Sequence, residues 1–172
     1  MVWQPRDDAD AIVESCLATV GMDGANTRCP VVVFKAFGIT RAPLPPGEIE
    51  GSLSLDNACA SYCMIGPDAV VRWRACHECG HLMLHLIGRR LPHDESLASR
   101  CGRALAISRG YMLALLACHR DYEITGYLSD WLPEEQTERR IWEVRRSVIR
   151  LVGLSAVLWA SLPGGAGVVP AG

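Results

Sequence analysis

The sequence predicts an α+β fold that is mostly helical and carries a pair of short strands. Apolar residues recur at helical spacing in several segments, above all from Asp68 to Ile87 and from Pro133 onward. Two short stretches of strand-like composition, Glu50 to Leu55 and Ala60 to Ile65, flank an Asp56-Asn57 turn. The chain has 172 residues, 49% of them hydrophobic, which is enough for one domain with a real core. We expect that domain to span positions 1–162, with a flexible Gly/Pro-rich tail at 163–172.

Taken in order, Asp7 or Asp8 caps a first helix in which Ile12, Cys16, Leu17 and Val20 share a face, and Gly21 ends it. Asp23 to Arg28 reads as a loop. Pro30 to Phe34 is ambiguous: its valine run favours a strand, whereas proline in first position and Gly38 at the end favour a short helix. Arg41 to Gly47 is a proline-rich connection. Asp68 is expected to cap a long helix that reaches Ile87, and Gly88 to Pro92 breaks it. Asp94 caps the next helix, with Leu97, Ala98, Cys101, Ala104 and Leu105 inward. Gly110 is expected to separate that helix from one over Tyr111 to Cys118, and Asp121 to Trp131 gives another. Pro133-Glu134-Glu135 opens a long amphipathic helix with Ile141, Trp142, Val144, Val148, Ile149 and Val152 on its apolar side. Leu151 to Gly172 carries no charge. Its apolar part is too short to span a bilayer, so a packed terminal helix is expected rather than a membrane anchor.

A net charge of −2 argues against a polyanion binder working by bulk charge. The arginines between Arg139 and Arg150 alternate with Glu138 and Glu143, the pattern of a solvated helix face more than of a DNA-binding one. The opening Val2 to Asp10 is polar and acidic, which suggests a cytoplasmic protein with reduced thiols; most of the eight cysteines then serve as small buried hydrophobes.

The chemistry concentrates in His77-Glu78-Cys79-Gly80-His81, an H-E-x-x-H motif. Residues four apart on a helix lie one turn above each other, so both imidazoles can reach one zinc ion. Glu78 is then placed to act as general base on a zinc-bound water. Cys76 and Cys79 form a C-x-x-C in the same stretch, and with Cys59 and Cys63 they offer a rival four-cysteine structural site. A catalytic zinc wants a third protein ligand. Glu95, at the start of the next helix, is the first choice; Asp94 and His93 are alternatives, and His85 is one turn too far along. His119 and Tyr122 are candidates for stabilising an oxyanion if the chain folds back.

Arg72, Arg74, His77, Glu78, Gly80, His81, Leu82 and His85 together resemble the core of the ImmA/IrrE family of zinc-dependent metallopeptidases. The likeness extends over roughly Ile12 to Val144. Glu95 to Ser108 loosely resembles the family's next helix, although Leu97 and Ser108 stand where glutamate and proline are usual. The resemblance implies a small zincin-like domain with a short antiparallel sheet lining the cleft, and a helix at Pro30 to Phe37. It implies that Gly51 to Asp56 or Ser61 to Ile65 holds an extended peptide by main-chain hydrogen bonds. It also implies a protein substrate, typically a helix-turn-helix repressor; the charge pattern and segment length above separately predict no direct nucleic-acid partner and no membrane. The alternative is a regulatory or interaction module that keeps the fold but hydrolyses nothing.

Overall fold

The computed structural model describes residues 8–22, 28–45, 51–89, 92 and 94–161, with side chains described as far as 153 in the last helix. The expected tail, His93, Asp7 and most of the loop after Asp23 lie outside the described residues. The fold is α+β and mostly helical: α1 (Ala9–Ala18), α2 (Pro30–Ala36), β1 (Thr40–Pro43), β2 (Gly51–Ser54), β3 (Cys59–Tyr62), α3 (Asp68–Leu86), α4 (Glu95–Ala106), α5 (Arg109–Cys118), α6 (Asp121–Leu128) and α7 (Glu134–Ser161). Among the described residues no helix is long and apolar enough to cross a membrane.

Local chemistry explains most boundaries. The Asp8 carboxylate accepts from the Asp10 and Ala11 amides, and that of Asp94 accepts from Leu97, so both act as N-caps. Pro30 sits in the first turn of α2, where its missing N–H costs nothing, and this settles the ambiguous stretch as helix over its β-propensity. Two expectations fail. Asp68 is the first residue of α3 and not its cap, which is Pro67 without a side-chain bond. Gly110 lies inside α5, whose cap is Ser108, its hydroxyl accepting from the Tyr111 amide.

The sheet also differs from expectation. β2 and β3 pair antiparallel, Gly51 opposite Tyr62, as the turn between them requires. However, β1 pairs parallel with β3, Thr40 opposite Cys59, giving a mixed sheet in the order β1-β3-β2. β1 ends at Pro43 in the proline-rich connection; there proline is tolerated because β1 is an edge strand.

The core gathers Val13, Leu17, Phe34, Met83, Leu84, Leu105, Met112 and Ile124, all fully buried, around α3. Three arginines join it. Arg140 is 1% exposed and pairs with Asp10 of α1, while its Nε donates to the Ile107 carbonyl. Arg28 pairs with Glu14, and Arg103 with Glu143. The solvated face expected for the arginines of α7 is therefore only partly right, because Arg140 and Glu143 turn inward. On the same helix Ile141 and Val144 are buried, but Trp142, Ile149 and Val152 are 58%, 71% and 64% exposed. The packed terminal helix is not seen at Leu151, which is 55% exposed and continues α7 without a break.

Candidate metal centre

α3 and α4 cross unusually closely, and glycine makes this possible on both sides. A Cβ on Gly80 would lie 2.1 Å from the Ala98 carbonyl oxygen, and one on Gly102 would lie 2.8 Å from that of Cys76. Two backbones in direct contact bring the first turn of α4 over the histidine face of α3.

At that crossing His77 Nε2 and His81 Nε2 are 3.2 Å apart, and Glu95 Oε2 is 3.2 Å from the first and 3.3 Å from the second. A tetrahedral ion with bonds of about 2.0–2.1 Å places neighbouring ligand atoms about 3.3–3.4 Å apart. The triangle's edges lie close to these, so His77, His81 and Glu95 form a group that could hold a metal ion. Three protein ligands leave the fourth tetrahedral position open toward substrate or water.

The surroundings favour ligation. Ser99, one turn after Glu95, has its hydroxyl 3.1 Å from His77 Nδ1. With Nδ1–H donating to that oxygen, the Nε2 lone pair points at the ion position. Burial pushes the His81 pKa down, against the opposing pull of Glu95, which favours the neutral imidazole that a metal needs. The Trp73 ring packs tilted against His77 at 6.0 Å. A cleft of about 190 Å3 opens alongside, lined by Trp73, Arg74, His77, Glu78, Ser99 and Gln136.

Glu78 is 3% exposed, and its Oε2 has no hydrogen-bond partner. Burial, then the negative charge of Glu95, pushes its pKa up to about 7. β2 presses against it: a Cβ on Gly51 would come within 2.1 Å of Glu78 Oε1. An unpartnered buried carboxylate is costly unless something else occupies the cleft with it.

The other candidates lie elsewhere. His85 is exposed and outside the cluster. Asp94 is occupied as the α4 cap. His119 stands by Glu123 and Tyr127, and Tyr122 is 68% exposed on α6, so neither lines the cleft. The four-cysteine site does not form: no metal-holding group among the described residues contains a cysteine. Cys76 and Cys79 are both 0% exposed on the core side of α3, and burial raises both thiols, Cys76 to about 12. Ser99 and Gly51 were not singled out from the sequence. Ser99 was detectable as the i+4 neighbour of Glu95; nothing local marked Gly51. Compared with known proteins, the chain matches no protein-family model and no curated sequence.

Proposed function

We propose that the chain is a zinc-dependent metallopeptidase of the ImmA/IrrE type, acting on a regulatory protein such as a helix-turn-helix repressor. One observation carries the reading: the tetrahedral-edge triangle of His77, His81 and Glu95 beside a buried, unpartnered Glu78. Zinc bound there would supply Lewis acidity and bring the pKa of a water from about 15.7 to about 7. Glu78, whose buried Oε2 has no other partner, would take a proton there and return it to a leaving amine. With its hydroxyl accepting from Nδ1–H, Ser99 would hold His77 in the tautomer that presents Nε2 to the ion. Of the two strands expected to hold a peptide, β3 is central in the sheet; β2 lies at an edge and touches Glu78 through Gly51. An extended segment added to β2 would run past the carboxylate. The eight free cysteines suit a reducing cytoplasm. The alternative, a non-hydrolysing regulatory module, draws on the 74% exposure of the Glu95 side chain, which leaves one ligand weakly held.

Metal analysis of His77→Ala, Glu78→Gln and Cys76→Ser tests the site. About one zinc per chain is expected, lost in the first variant and kept in the other two. Zinc kept in His77→Ala but lost in Cys76→Ser would overturn the reading. Co-expression with a candidate repressor should give cleavage that Glu78→Gln reduces by about a hundredfold or more. A chain that binds zinc but cleaves nothing would shift the assignment to the regulatory module.

A further inference from the structure

The cleft beside the histidines has walls that the proposed hydrolysis does not use. Trp73, Arg74 and Gln136 line it together with His77, Glu78 and Ser99, and none of the first three holds the metal or moves a proton. At about 190 Å3 it is smaller than the roughly 300–1,000 Å3 of sites that enclose a whole small ligand. It suits one side chain or one chain end.

Its polar walls are mostly donors. Arg74 carries five N–H groups and cannot accept a hydrogen bond. Its Nη1 donates to the Cys63 and Ile65 carbonyls at 3.2 and 3.0 Å, which anchors the guanidinium. Its Nε and Nη2 bond nothing among the described residues. Gln136 is oriented by Arg103, whose Nη1 donates to Gln136 Oε1 at 2.9 Å. Because an arginine can only donate, the Gln136 oxygen is committed to it and the amide hydrogens are left for the cleft. Arg103 is itself held, its Nε and Nη2 both donating to Glu143 Oε1 at 3.0 and 2.6 Å. Ser99 accepts from His77 Nδ1–H, so its own hydroxyl hydrogen is free to donate. Glu78 is the one carboxylate on the lining. Arg74 stands one turn before it on α3 and makes no ion pair with it among the described residues.

An anchored guanidinium with free N–H groups, flanked by an amide and a hydroxyl that both donate, is complementary to a group that only accepts. A lysine or arginine side chain would meet donors facing its own, with the general base as its sole counter-charge. We infer that this cleft is a carboxylate receptor, in which Arg74 reads the charge and Gln136 and Ser99 complete the hydrogen bonds, so that the substrate carries an acidic side chain or a free C-terminus next to the bond being cut. That a bond is cut there rests on the peptidase reading; the binding does not.

Fluorescence anisotropy with labelled peptides tests this, on full-length Glu78→Gln protein purified with zinc present, which leaves the peptides intact. Three peptides have an amidated C-terminus and differ at one position, as Glu, Gln or Lys; a fourth has Gln there and a free C-terminus. The Glu peptide should bind about tenfold to a hundredfold more tightly than its Gln counterpart, and the Lys peptide more weakly than either. Adding Arg74→Gln or Gln136→Glu should each erase most of that ratio. The carboxylate introduced at position 136 can still accept from Arg103, and circular dichroism would verify that both variants fold. A free-terminus peptide that binds like the Glu peptide assigns the receptor to a chain end, and one that binds like its amidated counterpart assigns it to a side chain. No binding of any peptide, equal binding of the Glu and Gln peptides, or a preference that survives both substitutions, as direct ligation of the carboxylate to zinc would give, would each overturn the inference. Charge preference without cleavage by the wild-type chain would sink the peptidase reading and leave the receptor; wild-type cleavage indifferent to charge would do the reverse.

Discussion

Gly80→Ala offers the most direct test of how the site is built, because two effects of opposite sign compete there. In an ordinary helix interior, glycine to alanine stabilises by about 0.5–1 kcal/mol, since glycine loses more backbone freedom on folding. At Gly80 the new methyl would lie 2.1 Å from the Ala98 carbonyl oxygen, where ordinary contact begins at 3.4 Å. Relieving it takes a displacement of α4 by about 1.3 Å. Backbone on both sides leaves no rotamer to absorb the clash, and overpacking of this kind costs about 1–3 kcal/mol. The crossing should therefore win, with net destabilisation of about 1–2 kcal/mol. The same displacement carries Glu95 away from His77 and His81, where the present separations are 3.2 and 3.3 Å. A ligand displaced by about 1 Å cannot keep a bond of about 2.0–2.2 Å, so metal affinity should fall by more than about a hundredfold. Urea unfolding gives the first quantity, and competition with a chromophoric chelator gives the second. Gly153→Ala is the control, a helical glycine whose Cβ meets nothing within 4 Å, and it should stabilise. If Gly80→Ala also stabilised and bound metal normally, the close crossing could not be what sets the site.

Two further outcomes follow from the polar contacts. Ser99→Ala should weaken metal binding about tenfold to a hundredfold, while Ser99→Thr, which keeps the hydroxyl, should restore most of it. Unchanged affinity in the alanine variant would remove Ser99 from the site. Asp10 concerns acid stability. Burial alone would raise its pKa, but the hydrogen bond and charge of Arg140, with those of Arg109, outweigh this and lower it. A depressed carboxylate contributes in full above its unfolded value near 3.9, and the contribution is lost as pH falls through the lower folded value. Wild type should therefore lose stability below about pH 4, and Asp10→Asn, already weakened at neutral pH, should show a shallower acid limb. Parallel acid limbs in urea titrations would contradict this.

The group of His77, His81 and Glu95 was legible because it depends on helical period and one cap. His77 and His81 are one turn apart, and Asp94 fixes where α4 begins, hence where Glu95 stands. β1 was missed because its pairing with β3 is non-local and its own composition, ending in Pro43, says loop. The close crossing at Gly80 and Gly102 was equally hidden, since either glycine alone reads as a weak spot in a helix. Arg140 looked solvated because its partner, Asp10, lies at the other end of the chain.

That last pairing bears on the order in which the molecule is made. His77, His81 and Glu95 all lie between positions 77 and 95, and their helices are consecutive. The contacts that define the metal group are therefore local and quick to form. The Asp10–Arg140 clamp spans 130 positions, and closing so long a loop carries a larger entropic cost. During synthesis the ligand triangle can come together before Arg140 has left the ribosome. A metal ion captured at that stage would hold α3 against α4 while the first and last helices are still apart.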